Sequence, residues 1–414
     1  MMLCMHVFQW RILMSDKRIY HIIIGSKAFF DLNLPEFGGQ DDVHGFLELV
    51  KLSDAYKQNN INIECNAQIL FLKNDNYHGI VDAAHDRLGA LIEELTASNA
   101  EIYIHNPPKV LYDFLKNQHS RGIIELSVLT QKYSINKKAS EFAINIKEIS
   151  EKIIGQEEAI NEISKSLWYL TTVKRTKPYV IMLYGNSSLG KTELVREIAD
   201  KFFDGKFCEK HLSMFKNNNY SDYFFGDAPN RKSLGYDLLE RESNLIFFDE
   251  LDKCPEYFYS AFYTLFDSVL FKDSNYDVDV SGALIVLTSN YHSEEEMKKN
   301  LGLPIFYRID KFIHFNDFSC NTIHDIVLNE ILLRKEEYQD RITSEIIYAM
   351  VSTMISTHGE NARTIKNKVQ QVVEELLFKD ALNSIDMFTN KQVDMADKLD
   401  KEGEYSESTE ISKL

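Results

Sequence analysis

The residues with the clearest chemical meaning are Gly185, Asn186, Ser187, Ser188, Leu189, Gly190, Lys191 and Thr192, a GNSSLGKT run that fits GxxxxGK[ST]. Such a run cradles phosphate when it joins a strand to a helix. The apolar YVIMLYG at 179–185 reads as that strand and 191–204 as that helix. Glycines let the backbone curl so that successive N–H groups face phosphate oxygens, and the helix N-terminus adds its dipole. In this reading Lys191 reaches the β- and γ-phosphates of a nucleoside triphosphate and Thr192 holds Mg²⁺. The bare pattern arises by chance in roughly 1% of chains this long at average residue usage, so a chance turn is a poor account.

A second signal is LIFFDE at 245–250. Four apolar residues followed by two carboxylates put acid at the carboxyl edge of a buried strand, where open α/β sheets bind ligands. Asp249 would coordinate Mg²⁺, directly or through water, and Glu250 would polarise the attacking water. Alone, an apolar run ending in two acids is weak. Here it follows Lys191 by 58 residues and gains weight from the phosphate loop.

The elements that must position these groups fall into an α/β pattern. ALIVLTSN at 283–290 reads as a third buried strand, and a helix is expected at 156–173. From about 317 to 388 the chain reads as helical, with helices at 321–335, 342–357 and 361–379. Upstream, strands are expected at 19–24, 63–72, 101–106 and 122–129, and helices at 41–57, 79–97 and 107–117. That alternation implies a separate α/β domain with a largely parallel sheet. The polar stretch 131–149 reads as a linker.

With 414 residues the chain is too long for one core. The net charge of −17 disfavours a duplex-binding surface. Five scattered cysteines (Cys4, Cys65, Cys208, Cys254, Cys320) form no CxxC or Cys/His cluster, which implies reduced thiols, a cytoplasmic location and no structural zinc. No apolar run reaches membrane-spanning length. Residues 1–13 are apolar but lack a basic leader and a cleavage site, and they read as an upstream extension or added strand ahead of Met14. The stretch 391–414 carries seven acidic and four basic residues and reads as a disordered tail. Its final Ser412-Lys413-Leu414 reads as chance rather than a peroxisomal address.

Between and beyond the two motifs, residues 150–375 resemble the AAA+ superfamily, specifically the Clp-type group (ClpA/ClpB-like). IIGQEEAI at 153–160 is similar to its helix-start motif, which implies that Ile153 and Ile154 line an adenine pocket. TSN at 288–290 matches sensor 1, with Asn290 orienting the water. PIFYRIDKFIHF at 304–315 resembles the arginine-finger segment and gives Arg308 that role. NARTIKNKVQ at 361–370 is similar to the sensor 2 helix, with Arg363 touching the γ-phosphate. LSMFK at 212–216 looks like the strand after the phosphate-loop helix. The resemblance implies a P-loop AAA+ module, with a large α/β subdomain at 149–316 and a helical lid at 317–390, preceded by an α/β domain at 1–148. It further implies ATP and Mg²⁺ as cofactors, and a homo-oligomeric ring, most often a hexamer, because a finger arginine acts across a subunit boundary. The expected role is remodelling of a protein client. The other class is an ATP-controlled switch or scaffold that activates the N-terminal domain or a partner effector, as in some prokaryotic defence systems.

The chain departs from the group at GDAPNRKSLGYDLLE (226–240). Asn230, Arg231, Lys232 and Ser233 stand where a substrate-gripping aromatic is expected, and Tyr236 is placed inside the following helix. In the N-terminal region Asp31, His78, Asp82, His85, Asp86 and His105 are scattered polar candidates. At helical spacing His78, Asp82 and His85 could share a face and hold a metal, although a charged solvent face is the commoner outcome.

Overall fold

The computed structural model describes residues 17–36, 42–58, 66–133, 135, 139–215, 221–227, 229–338, 342–356 and 359–382. The expectations for 1–13, Met14, Cys4, Cys65, the tail 391–414 and Ser412–Leu414 lie outside them. The described residues form two compact units. One comprises the residues up to Ile149, Glu158–Gly185 and Lys191–His314; the other comprises Ser150–Glu157, Asn186–Gly190 and the residues from Phe315 onward.

The first unit contains two parallel five-stranded sheets. The N-terminal sheet is built from β1 (Ile19–Ile24), β2 (Val43–Gly45), β3 (Ala67–Leu72), β4 (Thr96–His105) and β5 (Glu125–Thr130), in the order β2-β3-β4-β1-β5. Every pairing in it is parallel. Its core gathers Tyr20, Ile22, Leu70, Ile102 and Ile104, each with no exposed surface. The second sheet is built from β6 (Tyr179–Tyr184), β7 (Cys208–His211), β8 (Leu245–Asp249), β11 (Leu284–Thr288) and β12 (Lys311–His314), in the order β12-β6-β11-β8-β7. Between β8 and β11 lies a hairpin of β9 (Leu270–Lys272) and β10 (Asp277–Asp279) that the sequence reading did not anticipate. Strands β6, β8 and β11 are continuous apolar runs because parallel strands are covered on both faces. Ile24 packs against the cores of both sheets.

The second unit is helical. Cys320–Leu333, Lys335–Tyr338, Ser344–Met354 and 362–382 pack around Ile331, Ile347, Val351, Ile365 and Val369.

Four local expectations are corrected. The helix expected at 41–57 begins only at Phe46, because Val43–Gly45 pairs with Ile69–Phe71 as an edge strand. The helix expected at 79–97 is broken: a 3₁₀ turn covers Asn74–Gly79, short helices cover Asp82–His85 and Leu88–Leu95, and β4 starts at Thr96. His78 therefore lies on a different element from Asp82 and His85, with Asp82 and Asp86 exposed and His85 buried. Among the described residues no group of three or more His, Cys, Asp or Glu could hold a metal. The strand expected at 212–216 lies earlier, at β7, and Leu212–Met214 is a 3₁₀ turn. The polar stretch read as a linker carries a helix at Ala139–Lys152.

Two features of this packing give testable outcomes. Gly155 has φ +78°, and a Cβ there would stand 2.1 Å from the Thr322 methyl. Gly359, in the same unit, has φ +80° but open space around it. Both alanine variants carry left-handed strain of about 1–2 kcal/mol, and only Gly155→Ala adds overpacking of about 1–3 kcal/mol. Thermal unfolding should place Gly155→Ala below Gly359→Ala; equal melting temperatures would refute the clash. The second outcome concerns thiols. Burial pushes Cys208 up to about 11 and Cys254 up to about 12. A raised thiol pKa contributes stability below the unfolded value near 9, which is lost as pH rises through the folded value. Among the described thiols, iodoacetamide at pH 8 should label exposed Cys320 first and reach Cys208 and Cys254 only after denaturation, as peptide mapping would read.

Candidate nucleotide site

Strand β6 delivers Gly185, at φ +130°, to the carboxyl edge of the second sheet, and Lys191 opens the helix Lys191–Phe202. Lys191 is 7% exposed. Its ammonium donates to the Gly185 carbonyl at 2.7 Å and to Asn290 Oδ1 at 3.2 Å. Burial pushes its pKa down to about 8, against the pull of Asp252 and Asp249. A cation this deeply buried favours an anionic ligand beside it.

The acidic side is built by register. Strand β11 lies between β6 and β8, so Thr288 stands level with Leu183, and Leu287 stands level with Phe248. Thr192 Oγ1 donates to Asp249 Oδ1 at 3.3 Å, and the Thr288 hydroxyl donates to the same oxygen. The Glu250 amide donates to Thr288 Oγ1 at 2.9 Å. Glu250 has φ +61°, a left-handed conformation that costs a non-glycine residue about 1–3 kcal/mol. Leu245–Phe248 of β8 have no exposed surface, and each contributes about 1.5–3 kcal/mol of burial. The strand's packing therefore outweighs the strain and fixes the Glu250 backbone. His211 Nδ1 lies 3.4 Å from Asp249 Oδ2. The Asp252 side chain is 6% exposed beside the site and accepts from the Asn290 backbone N–H at 3.2 Å.

In the helical unit the remainder of the glycine-rich loop, Asn186 to Gly190, carries Ser188 at φ +61° and Gly190 at φ +101°. Alternating unusual dihedrals of this kind form anion-binding concavities. Ile153 is buried, with its Cγ2 3.6 Å from where a Gly190 Cβ would lie, and Ile154 packs on the helical core. Asn186 donates to Asp317 at 2.6 Å. The Ala362 amide donates to the Ser188 carbonyl at 3.1 Å, which brings the start of helix 362–382, and exposed Arg363 with it, to the loop.

A family model described as an AAA domain of the Cdc48 subfamily matches residues 176–386, just over half of the chain. The chain belongs to this AAA family. The module binds nucleotide and hydrolyses ATP, and its relatives place it with the Clp-type AAA+ ATPases. It is 26% identical over 269 residues to "Chaperone protein ClpB" of Mycoplasmoides gallisepticum, covering 57% of this chain and 37% of that one. It is 23% identical over 370 residues to the "ATP-dependent Clp protease ATP-binding subunit ClpA homolog" of Cyanidium caldarium, covering 74% and 42%. It is 24% identical over 293 residues to the corresponding ClpC subunit of Staphylococcus aureus (strain USA300), covering 59% and 35%. The chain thus spans about two-fifths or less of these relatives.

Within the AAA module the structure brings Lys191, Thr192, Asp249, Glu250 and Asn290 together. Arg308 stands apart from them. Its guanidinium lies over the Tyr263 ring at 4.9 Å, donates to the Pro304 carbonyl at 2.7 Å and faces Asp267 at 3.8 Å. Asp310, which could have paired with it, instead binds Arg175 at 3.1 Å. The sequence reading missed the support given by Thr288, His211 and Asp252. Thr288 was inside a quoted motif, whereas the other two carry no local signal. Among the described residues no helix is long and apolar enough to cross a membrane.

Proposed function

We propose that this chain is a ring-forming AAA+ ATPase whose nucleotide cycle remodels a protein client. The observation that carries the chemistry is the convergence of Lys191, Thr192, Asp249, Glu250 and Asn290 at one sheet edge. Lys191 grips the terminal phosphates, while Asn290 and Glu250 position and polarise the attacking water. Thr192 and Asp249 offer oxygen ligands 3.3 Å apart, the donor chemistry that Mg²⁺ prefers. A bound Mg²⁺ would neutralise charge on the phosphates. By resemblance to the Clp-type group, Ile153 and Ile154 are the residues for the base and Arg363 that for the γ-phosphate. The client role leans on the printed names of the relatives, a chaperone and protease ATP-binding subunits.

Arg308 acts in a neighbouring protomer's site in this reading, which requires it to leave Asp267. Arg308→Ala should lower turnover at least about a hundredfold in the assembled protein. Mixing inactive Arg308→Ala with inactive Lys191→Ala protomers should restore part of the activity, because some interfaces then hold both intact halves. No recovery in mixtures that co-assemble would sink the role across subunits.

One observation favours the switch or scaffold reading. The Tyr236 hydroxyl donates to Asp75, in the 3₁₀ turn after β3, at 2.6 Å, so the aromatic nearest the expected gripping position is committed elsewhere. Arg231 is likewise paired, with Asp222 and Asp227. Affinity capture with Glu250→Gln in ATP, against Lys191→Ala, separates the two. Diverse unfolded proteins held only by the Gln variant support remodelling. A single defined partner, or only the protein's own oligomer, supports the switch.

A further inference from the structure

The carboxyl edge of the N-terminal sheet is where an open α/β sheet binds ligands. In this chain a carboxylate already sits there. Glu240 follows the helix Leu234–Leu239 of the AAA module. Its Oε1 accepts from Asn74 Nδ2 at 2.6 Å and from Asn106 Nδ2 at 3.1 Å, and its Oε2 accepts from the Lys27 amide at 2.9 Å. Asn74 and Asn106 are each 1% exposed. His105, equally buried, has Nε2 3.6 Å from Glu240 Oε1.

The cradle is built rather than incidental. Asn106 holds φ +46°, unusual for a non-glycine residue. Its Oδ1 accepts from the Gly25 amide at 2.9 Å and its Nδ2 donates to the Gly25 carbonyl at 2.8 Å, which fixes the amide plane and leaves the second N–H for Glu240. Gly25 has φ +152°, and a Cβ there would strike the Gln131 side chain at 2.5 Å. The Asn74 Oδ1 is buried without a hydrogen-bond partner. Beside Gly25 and Gln131 a cavity of about 230 Å³ runs to Tyr133 and the buried Arg241 guanidinium. Glu240 itself remains 21% exposed at the side chain, so solvent reaches it.

We infer that this edge is an oxyanion-binding site for a small phosphorylated or carboxylated molecule, and that Glu240 fills it as an internal stand-in for that ligand. The cradle supplies N–H donors to one oxyanion head, and the adjoining cavity takes the body of the molecule. Displacing Glu240 frees the segment that leads through Arg241 into β8, and so reports occupancy to the strand that ends in Asp249. This site stands independently of the hydrolysis reading.

The test uses the full chain in a Lys191→Ala background, so that the phosphate loop does not take up the probe. Inorganic phosphate and acetate are the probes, read by thermal shift and calorimetry. Glu240→Ala should gain binding, with a rise of roughly 2–4 °C at saturating probe. The parent with Glu240 should bind about a hundredfold more weakly, because the tethered carboxylate competes at high effective concentration. Adding Asn74→Ala and Asn106→Ala should abolish the gain. Phosphate alone would identify a phosphate ester, acetate alone a carboxylate, and both a general oxyanion site. If Glu240→Ala fails to fold, Glu240→Gln keeps the shape and should still bind more tightly than the parent. No gain in a folded Glu240 variant, or a gain that survives loss of both asparagines, overturns the inference.

Discussion

Glu250→Gln should leave ATP binding intact and lower turnover by about two to four orders of magnitude. The side chain's volume and the left-handed backbone are kept, and the amide still reaches Thr288 Oγ1 at 2.9 Å. Folding should therefore be unaffected. Only the carboxylate is lost, and with it the group that takes the proton of the attacking water, a contribution of typically 10²–10⁴. Steady-state hydrolysis and nucleotide affinity, measured on the same preparation, separate these effects. Unchanged turnover would remove Glu250 from the proposed chemistry. Equal losses in turnover and affinity would mean a structural role instead.

Lys191→Ala is the second large effect, and it has two opposite signs. Lys191 is 7% exposed and held at a pKa of about 8 by burial, so its charge carries a solvation penalty. Removing it should leave the melting temperature of the nucleotide-free protein unchanged or raised. ATP affinity should fall at least about thirtyfold, which corresponds to about 2 kcal/mol for one charge-assisted contact. The thermal shift produced by ATP should vanish with it. A variant that melts early and still binds ATP would mean that Lys191 is structural.

The residues that converge at the candidate site were largely legible because their motifs are local. A phosphate loop needs eight consecutive residues, and the acid pair needs one buried strand to carry it. The parallel sheet followed from continuous apolar runs such as 179–185 and 283–290. What escaped depends on distant partners. The helix expected at 79–97 breaks, and the strand from Thr96 is fixed by β1 and β3, which no local window contains. His211 reaches Asp249 only because β7 pairs beside β8. His105 was visible as a polar residue on a strand. Its link to Glu240 spans 135 positions and has no periodic signature. Arg308 was found by motif, whereas its own partners, Tyr263 and Asp267, lie on a helix that was not foreseen.

The fastening of Tyr236 to Asp75 and of Glu240 to Asn74 has a mechanical consequence. Tyr236 lies on the short helix Leu234–Leu239 and Glu240 caps its end, and the chain runs from there through the buried Arg241 into the strand that ends in Asp249. A segment free at one end would dissipate any displacement as loop motion. Held at Tyr236 and Glu240 on one side and by β8 on the other, this one is a short tether, with only residues 241–244 between the turn that follows β3 and the strand that carries Asp249.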